Sequence, residues 1–291
     1  MSKFKRGIEN HSFIDALNKE RYDHPDGYWS KMVKDKDLFI AIRNESINVY
    51  YKGNSICKLS YKKNQVTAAI HYKYLLHPQM KDVYVTATDG RFQEDILLHR
   101  AIRSLADIDL IKRASDVYAA DEKSGVHPVV TKGNNVIDVE ITFSGDEDEE
   151  STRSTDRIDY LKLEREKSSN ADIRLVFYEA KHFTNKEIRS TGTPKVFGQI
   201  TAYEKALKEH EGDILASYAL VSKNLLDLDL IGNRDLIGSV ASNPKNLSVD
   251  PKPRLIIFGY DRDQQGGKTW SGHRAKLEKE LGPRLKTIGN P

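Results

Sequence analysis

Between residues 38 and 72 short runs rich in apolar residues are broken by turn-forming residues. The runs at 38–42, 47–51, 55–61 and 65–72 read as strands. The tetrapeptides Arg43-Asn44-Glu45-Ser46 and Lys52-Gly53-Asn54-Ser55 supply residues that tight hairpins favour, so an antiparallel meander is predicted. A short helix is expected ahead of it, over 10–20. Beyond it the pattern changes. Leu97, Leu98, Ala101, Ile102, Leu105 and Ile108 recur at helical spacing, predicting a core-packing helix over about 93–113. Three further strands are expected at 136–143, 157–163 and 173–181, then a helix over 196–210, strands at 217–221 and 254–259, and a short C-terminal helix.

This order predicts an α/β fold, a mixed sheet flanked by helices, with residues 91–291 forming one domain behind a β-rich N-terminal region, residues 1–90. A chain of 291 residues that is 38% hydrophobic has enough apolar side chain for a sizeable core. Its longest apolar runs fall far short of the roughly 20 residues that span a bilayer, so no membrane association is expected. The start of the chain, Met-Ser-Lys-Phe-Lys-Arg, lacks an apolar stretch and a small-residue cleavage site, so no secretory signal is read and a cytoplasmic location is expected. The single cysteine, Cys57, rules out an intrachain disulfide or a multi-cysteine metal site and reads as a small buried hydrophobe. With 46 basic and 43 acidic residues, net charge does not by itself point to a nucleic acid, and any such binding rests on local patches.

Two of the predicted strands carry charge where packing alone would not place it. The run Arg174-Leu175-Val176-Phe177-Tyr178-Glu179-Ala180-Lys181 is apolar until its end, where a carboxylate and an amine sit two apart and so share a strand face. Upstream, Asp159 interrupts the apolar run Ile158-Asp159-Tyr160-Leu161. Paired carboxylates can hold a hard divalent cation through oxygen, and a neighbouring lysine can orient water and stabilise developing negative charge. That set suits phosphodiester hydrolysis better than glycoside hydrolysis, which needs no lysine.

These residues resemble the PD-(D/E)xK nuclease superfamily, with Asp159 matching the aspartate of one core strand and Glu179 and Lys181 the Glu-x-Lys of the next. Ile158 stands where the family's name has proline. Downstream, Gln199-Ile200-Thr201-Ala202-Tyr203 resembles the Gln-x-x-x-Tyr helix motif of the RecB-like branch, and the likeness covers roughly residues 93–221. It implies a restriction-endonuclease-like core and Mg²⁺ or Mn²⁺ held by Asp159 and Glu179. It also implies a catalytic set of Asp159, Glu179, Lys181 and Gln199. The expected partner is nucleic acid, with DNA favoured, cut in repair, phage defence or mobile-element processing, by exonuclease or endonuclease action. A further acidic ligand is expected, with Glu94 on the first core helix and Glu140 on the first core strand as the two alternatives. Tyr203 and Lys186 are the candidate nucleic-acid contacts, and a protein partner or a second copy of the chain is expected to supply affinity.

Other patterns carry less. The acidic run at 146–150 reads as a solvated loop, and His182 as a solvent-facing residue at a strand end. The histidines show no zinc-ligand spacing, and Gly266-Gly267 is not a phosphate-binding loop. Basic residues follow the Glu-x-Lys strand (Lys186, Arg189, Lys195) and gather near the C-terminus (Arg274, Lys276, Arg284, Lys286), where they suit phosphate tracking or an ordinary charged surface. Tyr50, Tyr51, Tyr61, Tyr72 and Tyr74 offer stacking faces for bases or serve simply as strand residues. The alternative to a nuclease is a catalytically inactive nucleic-acid-binding or scaffold protein of the same fold; an unrelated hydrolase using the same carboxylates is a third reading.

Overall fold

The computed structural model describes residues 4–75, 84–92, 102, 104–143, 157–166, 169–230 and 234–289. The fold is α/β, with one antiparallel and one mixed sheet, both accompanied by helices. The chain forms two compact units: Arg6–His127 with Leu220–Ile231, and Met1–Lys5 with Pro128–Ala219 and Gly232–Pro291.

The first unit opens with α1 (His11–Asp23), whose N-cap Asn10 accepts a hydrogen bond from Ser12 N–H, and α2 (Tyr28–Lys34). The predicted meander follows as β1 (Phe39–Arg43), β2 (Ser46–Tyr51), β3 (Asn54–Lys62) and β4 (Gln65–His71), each antiparallel to the next. Two short strands extend it, β5 (Tyr84–Thr88) and β6 (Arg91–Phe92). Lys52-Gly53, Lys63-Asn64 and Asp89-Gly90 all have positive φ at both positions. Paired positive φ gives a two-residue turn the twist that flanking strands need. The helix residues Phe13, Leu17, Trp29 and Met32 and the strand residues Ile42, Ile47, Ile56 and Leu59 are all buried.

Of the helix expected over 93–113, residues 93–101 lie outside the described residues. The remainder corrects the expectation: Ser104 is extended (φ −151°, ψ 169°) and bridges to Arg91, a 3₁₀ turn occupies Leu105–Asp107, and α3 spans Ile108–Asp116. Ser104 and Asp107 form a capping box, so the chain starts a helix there rather than continuing one.

The second unit holds α4 from residue 128 onward (Asp121–Thr131), β7 (Val136–Thr142), β8 (Arg157–Glu166), β9 (Ser169–His182), α5 (Val196–Glu209), the first part of α6 (Glu211–Asp227) and α7 (Arg234–Ser242). It ends with β10 (Leu247–Val249), β11 (Arg254–Phe258), α8 (Arg262–Gly266), α9 (Lys268–Leu281) and β12 (Leu285–Thr287). Its sheet runs β12-β11-β9-β8-β7. Strands β7, β8 and β9 are antiparallel neighbours, whereas β11 lies parallel to β9 and β12 parallel to β11. A parallel return needs a long crossover, and α5 to α7 lie within it. Val196 and Ile200 of α5 join Leu255 and Ile257 of β11 and Trp270, Leu277 and Leu281 of α9 in one buried cluster.

The strand expected at 217–221 is instead the middle of α6. Ile214, Ser217, Tyr218, Val221, Ser222 and Leu225 are buried, a spacing of three and four that a five-residue window hides.

Candidate functional site

The register of the β7–β8–β9 meander sets three carboxylates side by side. Val139 pairs with Tyr160 and Ile141 with Ile158, which brackets Glu140 against Asp159. Tyr160 pairs with Tyr178, and the Asp159 carboxylate accepts a 2.6 Å hydrogen bond from Ala180 N–H, which sets Asp159 beside Glu179. In-register neighbours share a sheet face, so Glu140, Asp159 and Glu179 form a row with Lys181 one step further along β9. On β11 the row continues as Leu255, opposite Glu179, and Ile257, opposite Lys181. Apolar packing therefore walls one side of a charged cluster.

Charge in the row is finely balanced. Lys181 Nζ lies 2.8 Å from Glu179 Oε1 and 2.9 Å from Glu187 Oε2. Glu179 and Lys181 are both buried. Burial works against the Lys181 charge, but Glu179, Glu187 and Asp159 outweigh it and hold the ammonium above its ordinary range. Asp159 is driven the other way. Burial first, then the neighbouring Glu179 and Glu140 carboxylates, raise its carboxyl well above the usual carboxylate range, against the opposing pull of Ala180 N–H and Lys181. A carboxyl so placed stands to gain from an added positive charge.

Supporting groups frame the row. Arg157 Nη1 lies 3.0 Å from Glu140 Oε2, and the Arg157 carbonyl accepts a 2.8 Å hydrogen bond from Tyr203 O–H. Arg157 thus ties helix α5 to both strands. Glu140 itself has φ +51°, a left-handed conformation unusual for a non-glycine residue, so the backbone is locally strained at the head of the row. On α5 the Gln199 Oε1 atom is buried with no hydrogen-bond partner in the structure. A buried unsatisfied amide oxygen costs free energy unless a ligand or water meets it.

The structure therefore brings together Asp159, Glu179, Lys181 and Glu140. Glu94 lies outside the described residues. Tyr203 is buried, and its hydroxyl is committed to Arg157, so it braces the site from within. Lys186 is exposed on the turn that follows β9. His182 approaches Gly259, whose φ of +84° and lack of a side chain leave room for the imidazole ring. Of the tyrosines considered for base stacking, Tyr50 is buried and accepts from Arg43, while Tyr61 stacks on Phe13 at 6.0 Å. Arg157 and Glu187 were not singled out by sequence. Arg157 had one available signal, its i, i+2 spacing to Asp159, whereas Glu187 sits in an irregular turn with no periodicity to read.

Among the described residues no three His, Cys, Asp or Glu side chains form a ready-made metal cage. Mg²⁺ commonly takes only one or two carboxylates and completes its shell with water and substrate phosphate. The Asp159 and Glu179 pair, with a destabilised carboxyl at its centre, fits such an ion. Also among the described residues, no helix is long and apolar enough to cross a membrane. No protein-family model, curated protein or solved structure matches the chain.

Proposed function

We propose that the chain is a metal-dependent nuclease of the PD-(D/E)xK type that hydrolyses phosphodiester bonds, with DNA as the expected substrate. The observation that carries this reading is the row itself: Asp159 bonded to the strand bearing Glu179, with Lys181 paired to Glu179 one step along. The topology supports a restriction-endonuclease-like core, because a three-strand antiparallel meander is followed by helices and by a strand parallel to its last member. In this reading Asp159 and Glu179 hold Mg²⁺ or Mn²⁺, with Glu94 and Glu140 as the two alternatives for a further acidic ligand. When bound, the ion supplies a Lewis acid that lowers the pKa of water and neutralises phosphate oxygen charge.

The chain's own groups do the remainder. Lys181, held charged by its carboxylate neighbours, hydrogen-bonds the attacking water and offsets negative charge growing on the phosphoryl oxygens. The resemblance gives Gln199 the role of orienting that water, and its buried, unpartnered Oε1 is an acceptor available for it. The water oxygen forms the new bond to phosphorus as the bond to the leaving sugar oxygen breaks; water gives up a proton and the leaving oxygen takes one. Lys186, exposed beyond the end of β9, is placed to meet the nucleic-acid backbone.

Incubation of labelled linear and circular DNA, and of RNA, with the protein in Mg²⁺, Mn²⁺ or EDTA tests the reading. Cutting that needs the metal and is lost in Lys181→Ala supports it, and survival of circular DNA alone identifies an exonuclease. No cutting of any substrate, with no metal binding by calorimetry, overturns it in favour of a binding or scaffold protein.

A further inference from the structure

We infer that Glu187 is a positioning residue that keeps Lys181 trained on the site when a divalent cation takes over Glu179; this rests on the metal-dependent reading of the site. Lys181 Nζ is shared between two carboxylates at nearly equal distance, 2.8 Å to Glu179 and 2.9 Å to Glu187. Their surroundings differ. The Glu179 side chain is 3% exposed and belongs to the carboxylate row, while that of Glu187 is 31% exposed and lies outside it, on the turn after β9.

That turn is firmly built. Glu187 N–H donates to Asn185 Oδ1 at 2.8 Å, the adjacent Ile188 is fully buried in the cluster of Val196, Ile200, Leu255 and Ile257, and Arg189 Nε donates to the Phe183 carbonyl. Arg189 is also held over the Phe183 and Trp270 rings, at 4.9 and 5.4 Å. The Glu187 carboxylate therefore comes from a framed loop rather than a loose one.

A cation coordinated by Glu179 removes that carboxylate as a partner for Lys181 and repels the ammonium directly. Lysine's four-carbon stem is flexible, and with no other anchor it would swing towards water. Glu187, which comes from the turn rather than from the carboxylate row, remains as a second anchor and holds the ammonium in place. Glu179 and Glu187 thus divide the work: one carboxylate exchanges lysine for metal, and the other retains the lysine throughout.

The experiment combines kinetics with acylation of Lys181, read by mass spectrometry against exposed Lys186, in wild type, Glu187→Ala, Glu187→Gln, Glu187→Asp and Glu179→Ala, each with Mn²⁺ or EDTA. The wild-type protein is expected to protect Lys181 under both conditions. Glu187→Ala and Glu187→Gln are expected to protect it in EDTA, where Glu179 remains its partner, and to expose it in Mn²⁺. Their kcat is expected to fall roughly 100-fold, the effect of a misplaced catalytic group, with KM and half-saturation by Mn²⁺ unchanged and partial recovery in Glu187→Asp. Equal labelling of Lys181 in wild type and Glu187→Gln with Mn²⁺, or an unchanged kcat, overturns the inference. If wild type neither cuts nor binds Mn²⁺, the nuclease reading fails separately. Glu179→Ala then decides the anchor: Lys181 protected shows that Glu187 holds it alone, and Lys181 labelled shows that it does not.

Discussion

Ala180 N–H donates to the Asp159 carboxylate at 2.6 Å, so one peptide group flanked by Glu179 and Lys181 also anchors the aspartate on the next strand. The acidic and basic members of the site are thereby fixed to one another through backbone rather than through flexible side chains alone.

That bond does not relieve Asp159 of its charge. Its folded-state carboxyl is raised by burial and by Glu179 and Glu140, so the stability it contributes is full below the ordinary carboxylate pKa and is lost as pH rises through the raised value. Asp159→Asn keeps an acceptor for Ala180 N–H and removes the charge. In EDTA at neutral pH the variant is expected to melt a few degrees above wild type, with the gap closing at pH 4. Saturating Mn²⁺, at about 100 times its Kd, is expected to stabilise wild type by about 2.7 kcal/mol and the variant hardly at all. Thermal denaturation across pH, with and without metal, checks all three points.

Tyr203 reads as an internal brace. Tyr203→Phe loses one hydrogen bond to the Arg157 carbonyl and is expected to cost about 1 kcal/mol in urea denaturation. Because Arg157 also pairs with Glu140, kcat is expected to drop while KM for nucleic acid holds. A rise in KM at constant kcat would instead identify the tyrosine as a nucleic-acid contact.

In the first unit, His127 packs edge-on to the Tyr51 ring and its Nε2 meets the Asp37 carbonyl at 2.6 Å. Burial lowers its pKa, with Lys52 and Lys112 adding to that effect and the Asp37 carbonyl and carboxylate opposing it. A histidine whose folded pKa is depressed costs stability as pH falls from its ordinary value through the lowered one. His127→Gln is expected to flatten the loss of stability between pH 6.5 and 5. Chemical denaturation followed at both pH values tests this, and equal slopes for variant and wild type would refute it.

Much of this architecture is legible in local pattern. The meander β1–β4 is written in short apolar-rich runs and the turn residues between them, and β7, β8, β9, α5 and β11 lie close to their expected bounds. Each miss has its own physical cause. Ser104 stops a helical stripe through its own backbone conformation and capping, which side-chain spacing does not report. Residues 217–221 look like a strand only when the flanking turns of α6 are ignored. Strands β5 and β6 are too short to show a period. At the site, the order Asp159, Glu179, Lys181 can be read directly. The row with Glu140 depends on strand register, and the Glu187 contact on the path of a turn, so both appear only in three dimensions.

Strand β9 is laddered to β8 only as far as Tyr178, while its other edge continues against β11 through His182, so the segment carrying Glu179 and Lys181 is held by β11 and by the bond from Ala180 N–H to the Asp159 carboxylate. Beyond Tyr178 a side chain, Asp159, takes the place of a main-chain rung. Slow hydrogen exchange at the Ala180 amide is therefore expected to report on the Asp159 contact itself and to be lost in Asp159→Ala.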